Sequence, residues 1–438
     1  MQRRTLIIIV VLAALLVAGG WWFVDLLRPD ERRAAGIAAV REEARANAVA
    51  RQERLVGARE ELPARIADCR ALLDAWHAPE HALARELANA IAQTPGEVSE
   101  TLLRRAASRL RLFRGAGAAT PLEEALDPAR LSPTAIRSAF LEYLRQSPVL
   151  NRLEEAFLAG ACVPVIFPEQ GVDFARWEDL QRIVEAGSAL AVRALAAAGD
   201  GDADAAARAL HSVYHASDRL LEEADFEALE LGYKLAKRGD RMMPAVIASG
   251  GRQTGAWEAI ESHFENRADP SPVEQALLVE AAYALEQKPL GALGETAGLV
   301  AGYDIFAAAL AARPLLRVQP GEARTAFDEL RGETWEFAVA TRNLLRNAQA
   351  RHIEHANYAL AARLVPIVID IEAYREEEGR YPMRLSGAVD AETLDALRGG
   401  LDPQQSLIYE RDNGGYIIGI HGPATDIAWR KLENAGER

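Results

Sequence analysis

The run from Leu6 to Leu27 carries no charge until Asp25 and places Trp21 and Trp22 near its end. About 20 apolar residues are enough for an α-helix to cross the hydrocarbon core of a bilayer, and indole rings rest at its boundary. The run predicts a single N-terminal transmembrane helix, with everything after it held beside one face of a membrane. Three readings of the segment compete. A signal anchor would keep Arg3 and Arg4 inside and the large domain outside. A cleaved signal peptide would use Ala18-Gly19-Gly20 as its processing site. A reversed anchor would follow Arg28, Arg32, Arg33, Arg41 and Arg45. The anchor with the domain outside is the reading adopted, which places the chain in a bacterial inner membrane with a periplasmic C-terminal domain.

Beyond the anchor, composition argues for helices. The chain is alanine-rich with 6% aromatic residues, and its net charge of −14 is scattered along 438 residues. Such a composition favours helix over sheet, and an acidic surface repels phosphate backbones, so nucleic acid is excluded as a partner. The two cysteines, Cys69 and Cys162, both sit in apolar helical context. Either a disulfide of an exported domain or two buried thiols fits them.

The periodicity divides the chain into an anchor (1–27), a helical stalk (28–62), an α-helical ectodomain (63–350) and a terminal module (351–438). A loop-rich boundary falls at 115–131 inside the ectodomain. Ile66, Cys69, Leu73 and Trp76 mark the inner face of one helix, and Ala82, Leu83, Leu87 and Ile91 that of the next. Helices are expected at 97–113, and after Ser132-Pro133 and Ser147-Pro148, by the cap-then-proline rule. Val163 to Pro168 reads as an extended apolar connector. Ala189, Val192, Leu195 and Ala196 face Ala206, Leu210, Val213 and Tyr214 across the turn at Gly199–Asp204, a helical hairpin of the kind found in repeat arrays. Further helices are expected at 221–238, 243–265, 272–287, 290–312 and 321–350. Gly294, Gly298 and Gly302 recur every four residues and suit close packing of a soluble helix. A helix from Ala356 to Glu378, restarted at Pro366, and a short one near 391–398 precede two alternating runs, Ser406–Glu410 and Gly415–His421. Asp412-Asn413-Gly414-Gly415 between them is a hairpin turn. The fold class is mainly α: a transmembrane helix, a helical-hairpin array and a small α+β module with a β-hairpin.

Tyr374, Glu378-Gly379-Arg380-Tyr381-Pro382, Leu385, Asp402-Pro403, Leu407-Ile408-Tyr409 and Gly415-Tyr416-Ile417-Ile418 together resemble the soluble end of type II secretion major pseudopilins. The resemblance covers roughly the last 50 residues of the module and implies a long helix, a Gly-Arg-Tyr-Pro turn and a small sheet packed on it. Met1 to Val11 lacks the pseudopilin leader, and Gly422 to Asp426 does not reproduce the acidic calcium loop. The chain is therefore not a pseudopilin, and no calcium site carries over. The whole layout is similar to a family of uncharacterised bacterial single-pass envelope proteins with a helical ectodomain and this tail.

Several strings bear on chemistry. His77-Ala-Pro-Glu80-His81 has the order of an inverted zinc-peptidase motif, but Pro79 opens a helix and leaves His77 off the required face. His211 and His215, four apart in a helix, have zinc-ligand spacing without a nameable third ligand, and His352 and His355 are a weaker pair. Asp200-Gly-Asp202-Ala-Asp204 lacks the glycine and terminal glutamate of a calcium loop. Ser249 to Gly255 is glycine-rich without the Lys-Ser/Thr of a phosphate loop and reads as a flexible turn. No catalytic residue and no cofactor is expected, with His211 and His215 the weak metal candidates. The function expected is a non-enzymatic envelope scaffold or adaptor that binds a protein partner, with secretion or pilus association as its setting. An envelope hydrolase without a recognisable motif, or a carrier of lipid or small molecules, is the alternative.

Overall fold

The computed structural model describes residues 62–93, 133–160, 162, 177–222, 225–286, 305, 307–332, 338–412, 415–422 and 425–431. The expected anchor, nearly all of the stalk, the 97–113 helix, the 115–131 boundary, the Val163–Pro168 connector and the Gly294–Gly302 stretch lie outside the described residues. Among those described, no helix is long and apolar enough to cross a membrane. The protein is mainly helical, with one small antiparallel sheet at its C-terminal end.

Contacts divide the chain into two units, one of Gly57–Pro272 with Arg351–Arg438 and one of Val273–Ala350 with Met1–Val56. The first unit begins with α1 (Leu62–His77) and α2 (Ala82–Gln93), followed by α3 (Pro133–Gln146) and α4 (Pro148–Leu158). Cys69 and Cys162 are joined as a disulfide, which ties α1 to the residues after α4 across 93 positions. Ser147 caps α4 as expected, accepting from the Leu150 amide at 3.4 Å with Pro148 at the first helical position.

The centre of this unit is a set of three long helices: α5 (Trp177–Gly199), α6 (Ala203–Leu221) and α7 (Phe226–Ala248). The predicted hairpin is α5 and α6. Asp202 accepts from the Ala205 amide at 3.1 Å to start α6, and Gly201 supplies the left-handed residue of the turn at φ 77°. Gly239 lets α6 and α7 approach closely, since a Cβ there would stand 2.8 Å from the Tyr214 ring. That approach brings Tyr214 beside Asp240.

The helices expected at 221–238 and 243–265 are instead α7 and, after a turn, α8 (Trp257–Glu265). Pro244 lies inside α7 and does not end it. Proline removes one backbone hydrogen bond, but Met242, Met243 and Val246 around it are fully buried, and that packing outweighs the loss. The helix stops at Gly250, whose φ of 88° only glycine adopts freely. Nor is the segment after it loose, for Gly251 is buried and Thr254 Oγ1 donates to its carbonyl at 2.6 Å.

The C-terminal part of the first unit holds the last turns of α11 (Ala338–Ala362), then α12 (Leu364–Glu378) and α13 (Ala391–Gly399). The helix restarts at Leu364, two residues before the expected Pro366, which leaves proline in the first turn where its missing N–H costs nothing. Gly379 caps α12 at φ 69°. The hairpin is extended to a meander of β1 (Ser406–Asp412), β2 (Gly415–Gly422) and β3 (Thr425–Lys431) in the order β1-β2-β3. The third strand corrects the expectation of two. Its alternation of buried Thr425, Ile427 and Trp429 with outward Asp426 and Ala428 is a strand signal at period two. Tyr381 and Tyr416 are buried in the small core, and Tyr409 Oη donates to the Pro382 carbonyl at 2.8 Å.

The second unit contains most of α9 (Ser271–Glu286), α10 (Pro320–Gly332) and the start of α11. Of the one helix expected over 321–350, the described residues show α10 (Pro320–Gly332) and the start of α11 from Ala338, and 333–337 lie outside the described residues. Within this unit Glu274 is buried and accepts from Arg313 and, at 3.0 and 3.1 Å, from Arg317 Nη2.

Candidate ligand-binding cleft

A cleft of about 440 Å³ opens in the first unit between α7, the last turns of α11 and strand β3. Its size lies within the roughly 300–1,000 Å³ of ligand pockets. Helical spacing explains its lining: Tyr233, Lys237 and Asp240 with Lys234 and Arg241 share one face of α7, while Glu354, Asn357, Tyr358 and Ala361 share one face of α11. Thr425 to Trp429 of β3 close the third side.

Behind the wall stands a buried polar cluster. Arg267, with no exposed side-chain surface, donates through Nη1 to Asp240 Oδ2 at 2.8 Å and through Nη2 to Oδ1 at 2.6 Å. Tyr214 Oη donates to the same Oδ1 at 3.0 Å. The guanidinium carbon lies 4.0 Å from the Phe264 ring centre and 4.3 Å from that of Tyr358. Burial works against the charge of Arg267, but the Asp240 carboxylate holds its pKa above the usual arginine value. His263 Nε2 accepts from Arg267 Nη2 at 2.9 Å, which fixes the neutral ring with its proton on Nδ1. That nitrogen lies 2.7 Å from Asp218 Oδ1, within ion-pair reach but off the line of a hydrogen bond. Burial lowers the pKa of His263 and raises those of Tyr214 and Tyr358.

At the mouth the charges are distributed unevenly. Glu230 is bound by Lys234 and, at 2.8 Å, by Arg351, which also reaches Glu354 at 2.5 Å. Lys237 Nζ donates to the Asp426 carbonyl at 3.5 Å, and Arg241 Nη1 to the Ala92 carbonyl at 3.3 Å. Among the described residues neither cation is within ion-pair distance of a carboxylate. Surrounding protein lowers the Lys237 pKa, and neighbouring Arg241 lowers it further; burial lowers that of Arg241.

No protein-family profile, characterised protein or solved structure matches this chain.

The residues singled out by sequence lie elsewhere. His211 and His215 do come together on α6, ring centres 6.2 Å apart, with pKa values lowered by burial. Among the described residues, no three His, Cys, Asp or Glu side chains converge as a metal ion requires. His77 ends α1 and reaches Glu185 at 2.8 Å, whereas His81 sits in the turn Pro79–His81, stacked on Trp76 and bonded to Tyr143. Pro79 thus separates the two histidines as expected. His352 and His355 are both buried. His355 meets Tyr233 Oη at 3.1 Å, and burial lowers its pKa to about 4. Asp202 is a helix cap rather than a calcium ligand. The cluster around Arg267 was missed by sequence reasoning, and its signal is faint. His263 and Arg267 stand one turn apart in Trp257–Ala268, where Trp257, Ile260 and Phe264 mark the buried face that both polar residues also occupy.

Proposed function

We propose that this protein is a membrane-held scaffold or adaptor of the bacterial envelope, and that it works by binding a protein partner rather than by catalysis. The state of Asp240 carries the reading. A general base must be free to reach the proton it removes. Asp240 instead spends three of its roughly four acceptor positions on Arg267 and Tyr214, so the most deeply buried carboxylate of the cleft stiffens a wall. Rigid walls lower the ordering cost of association.

Other observations support the setting. The Cys69–Cys162 disulfide suits an oxidising compartment such as the periplasm. The apolar run at 6–27 suits a single-pass anchor in the inner membrane. The resemblance of the tail to pseudopilins is supported by α12, its Gly379 cap and the sheet behind it, and suggests association with a secretion or pilus assembly.

The test is crosslinking in the native envelope, followed by identification of captured proteins. A specific partner, recovered from membranes that retain the protein through alkaline extraction, is the expected result. Recovery of no partner together with hydrolytic activity in the purified protein overturns the proposal.

A further inference from the structure

The cleft itself suggests what the partner presents to it. Strand β3 is an edge, with β2 on one side alone among the described residues. The Asp426 carbonyl that receives Lys237 is turned away from β2, and by the two-residue period of a strand Ala428 turns its backbone groups the same way. Both residues line the cleft, so this edge of β3 borders it, with Lys237 already reaching the Asp426 carbonyl. An exposed strand edge is a template for an added strand, with main-chain hydrogen bonds supplying affinity and flanking side chains supplying specificity.

The flanking side chains here are Lys237 and Arg241, one helical turn apart on α7. The other charges of the mouth and wall are matched: Glu230 and Glu354 by Lys234 and Arg351, and Asp240 by Arg267. Asp426 is the remaining acid. It is exposed and sits near both cations, favouring their charged forms without pairing with either. Arg241 disfavours the charged form of Lys237, which Asp426, Glu354 and Asp240 favour without pairing with it. A carboxylate placed between the two cations relieves that repulsion and forms charge-assisted hydrogen bonds.

We infer that the cleft binds an extended peptide segment bearing a carboxylate, which adds to the edge of β3 and places its acidic group between Lys237 and Arg241. This rests on the reading of the protein as a partner-binding scaffold and names the chemistry of the partner's contact. The carboxylate belongs to an acidic side chain or to a chain terminus.

Full-length protein in detergent is titrated calorimetrically with three hexapeptides of alternating valine and alanine. One is blocked at both ends and carries a central glutamate, one is neutral with a free C-terminal carboxylate, and one is neutral and blocked throughout. Acetate and inorganic phosphate are titrated separately. Binding of either charged peptide but not of the neutral one is expected, and which of the two binds more tightly identifies the source of the carboxylate. Lys237→Gln and Arg241→Gln should each weaken that binding about tenfold or more, the loss of a charge-assisted hydrogen bond. Arg398→Gln, on α13 outside the cleft lining and 3.7 Å from Asp395, should leave it unchanged. Unaltered helical circular dichroism and melting temperature separate lost binding from lost fold. Equal binding of the neutral peptide, equal loss in all three variants, or binding of phosphate alone overturns the inference. Envelope crosslinking of Lys237→Gln/Arg241→Gln separates the two readings. If the partner is still captured while no peptide binds, the cleft assignment fails and the scaffold stands; if wild-type protein captures nothing, the scaffold fails.

Discussion

Asp240 in the helical array and Glu372 in the C-terminal module are equally hidden, each 3% exposed, but they are held in different ways. Asp240 faces a full positive charge, the buried Arg267, in a two-pronged ion pair. Glu372 is held by Tyr416 Oη at 3.0 Å and Tyr381 Oη at 3.4 Å, with the Arg375 guanidinium 3.8 Å away. Burial therefore raises the pKa of Glu372, an effect that its neighbours only partly offset. A buried charge needs a partner of matching strength, and removing one partner costs more than the pair contributes. The array is thus specified by a polar cluster it cannot lose, whereas the module has a carboxyl whose charge burial disfavours.

The sharpest way to break this comparison is Arg267→Met. It strands the Asp240 carboxylate in the core and should cost about 3–5 kcal/mol, read as a lower urea midpoint by circular dichroism. Arg267→Met with Asp240→Leu should recover most of that loss, because the stranded charge is gone. A double variant as unstable as the single one would show that the cluster acts through shape and not charge.

Replacing both Cys69 and Cys162 by serine should remove about 2–5 kcal/mol, because the link closes a long loop in the unfolded chain. Thermal melts with and without reductant check it, and identical melts would mean the bridge adds nothing.

Acid should act in opposite directions through the buried histidines and through Glu372. His355 takes up a proton near 6.5 when unfolded but only near 4 in place, where it faces Tyr233, Tyr358, His352 and the field of Asp269. Its contribution is complete above pH 6.5 and falls as pH drops toward 4, by roughly 2–3 kcal/mol. Buried His263 has the same sign. Glu372, with its raised pKa, favours the folded state below its usual 4.5, and that help is lost as pH rises through the native value. Denaturant midpoints between pH 4 and 8 should show His355→Gln flattening the acid loss and Glu372→Gln steepening it.

The smallest effect expected is that of Tyr416→Phe, about 1 kcal/mol, the net value of one hydrogen bond. Protease should then cut the module sooner while the helical array resists. A loss approaching that of Arg267→Met would mean that Glu372 is as demanding as Asp240.

Much of the helical order was legible in the chain. The α5–α6 hairpin, the Ser147-Pro148 start and the strands on either side of Asn413-Gly414 follow from local periodicity and capping, which depend on residues a few positions apart. The continuation of α7 through Pro244 was not legible, since the packing that carries a helix through proline comes from other helices. The strand at Thr425–Lys431 was visible as alternation but follows a Gly-Pro that reads as an ending.

What the sequence determined alone was the class of the molecule: alanine-rich amphipathic helices, a small sheet at the end and an apolar N-terminal run. Each of those is a property of adjacent residues. Tertiary structure decided that Cys69 meets Cys162, that Arg267 reaches back 27 positions to Asp240, and that β3 lies beside α7 to form a cleft. Those pairings are set by which apolar faces bury against which, and a helix face records that it must be covered without recording by what.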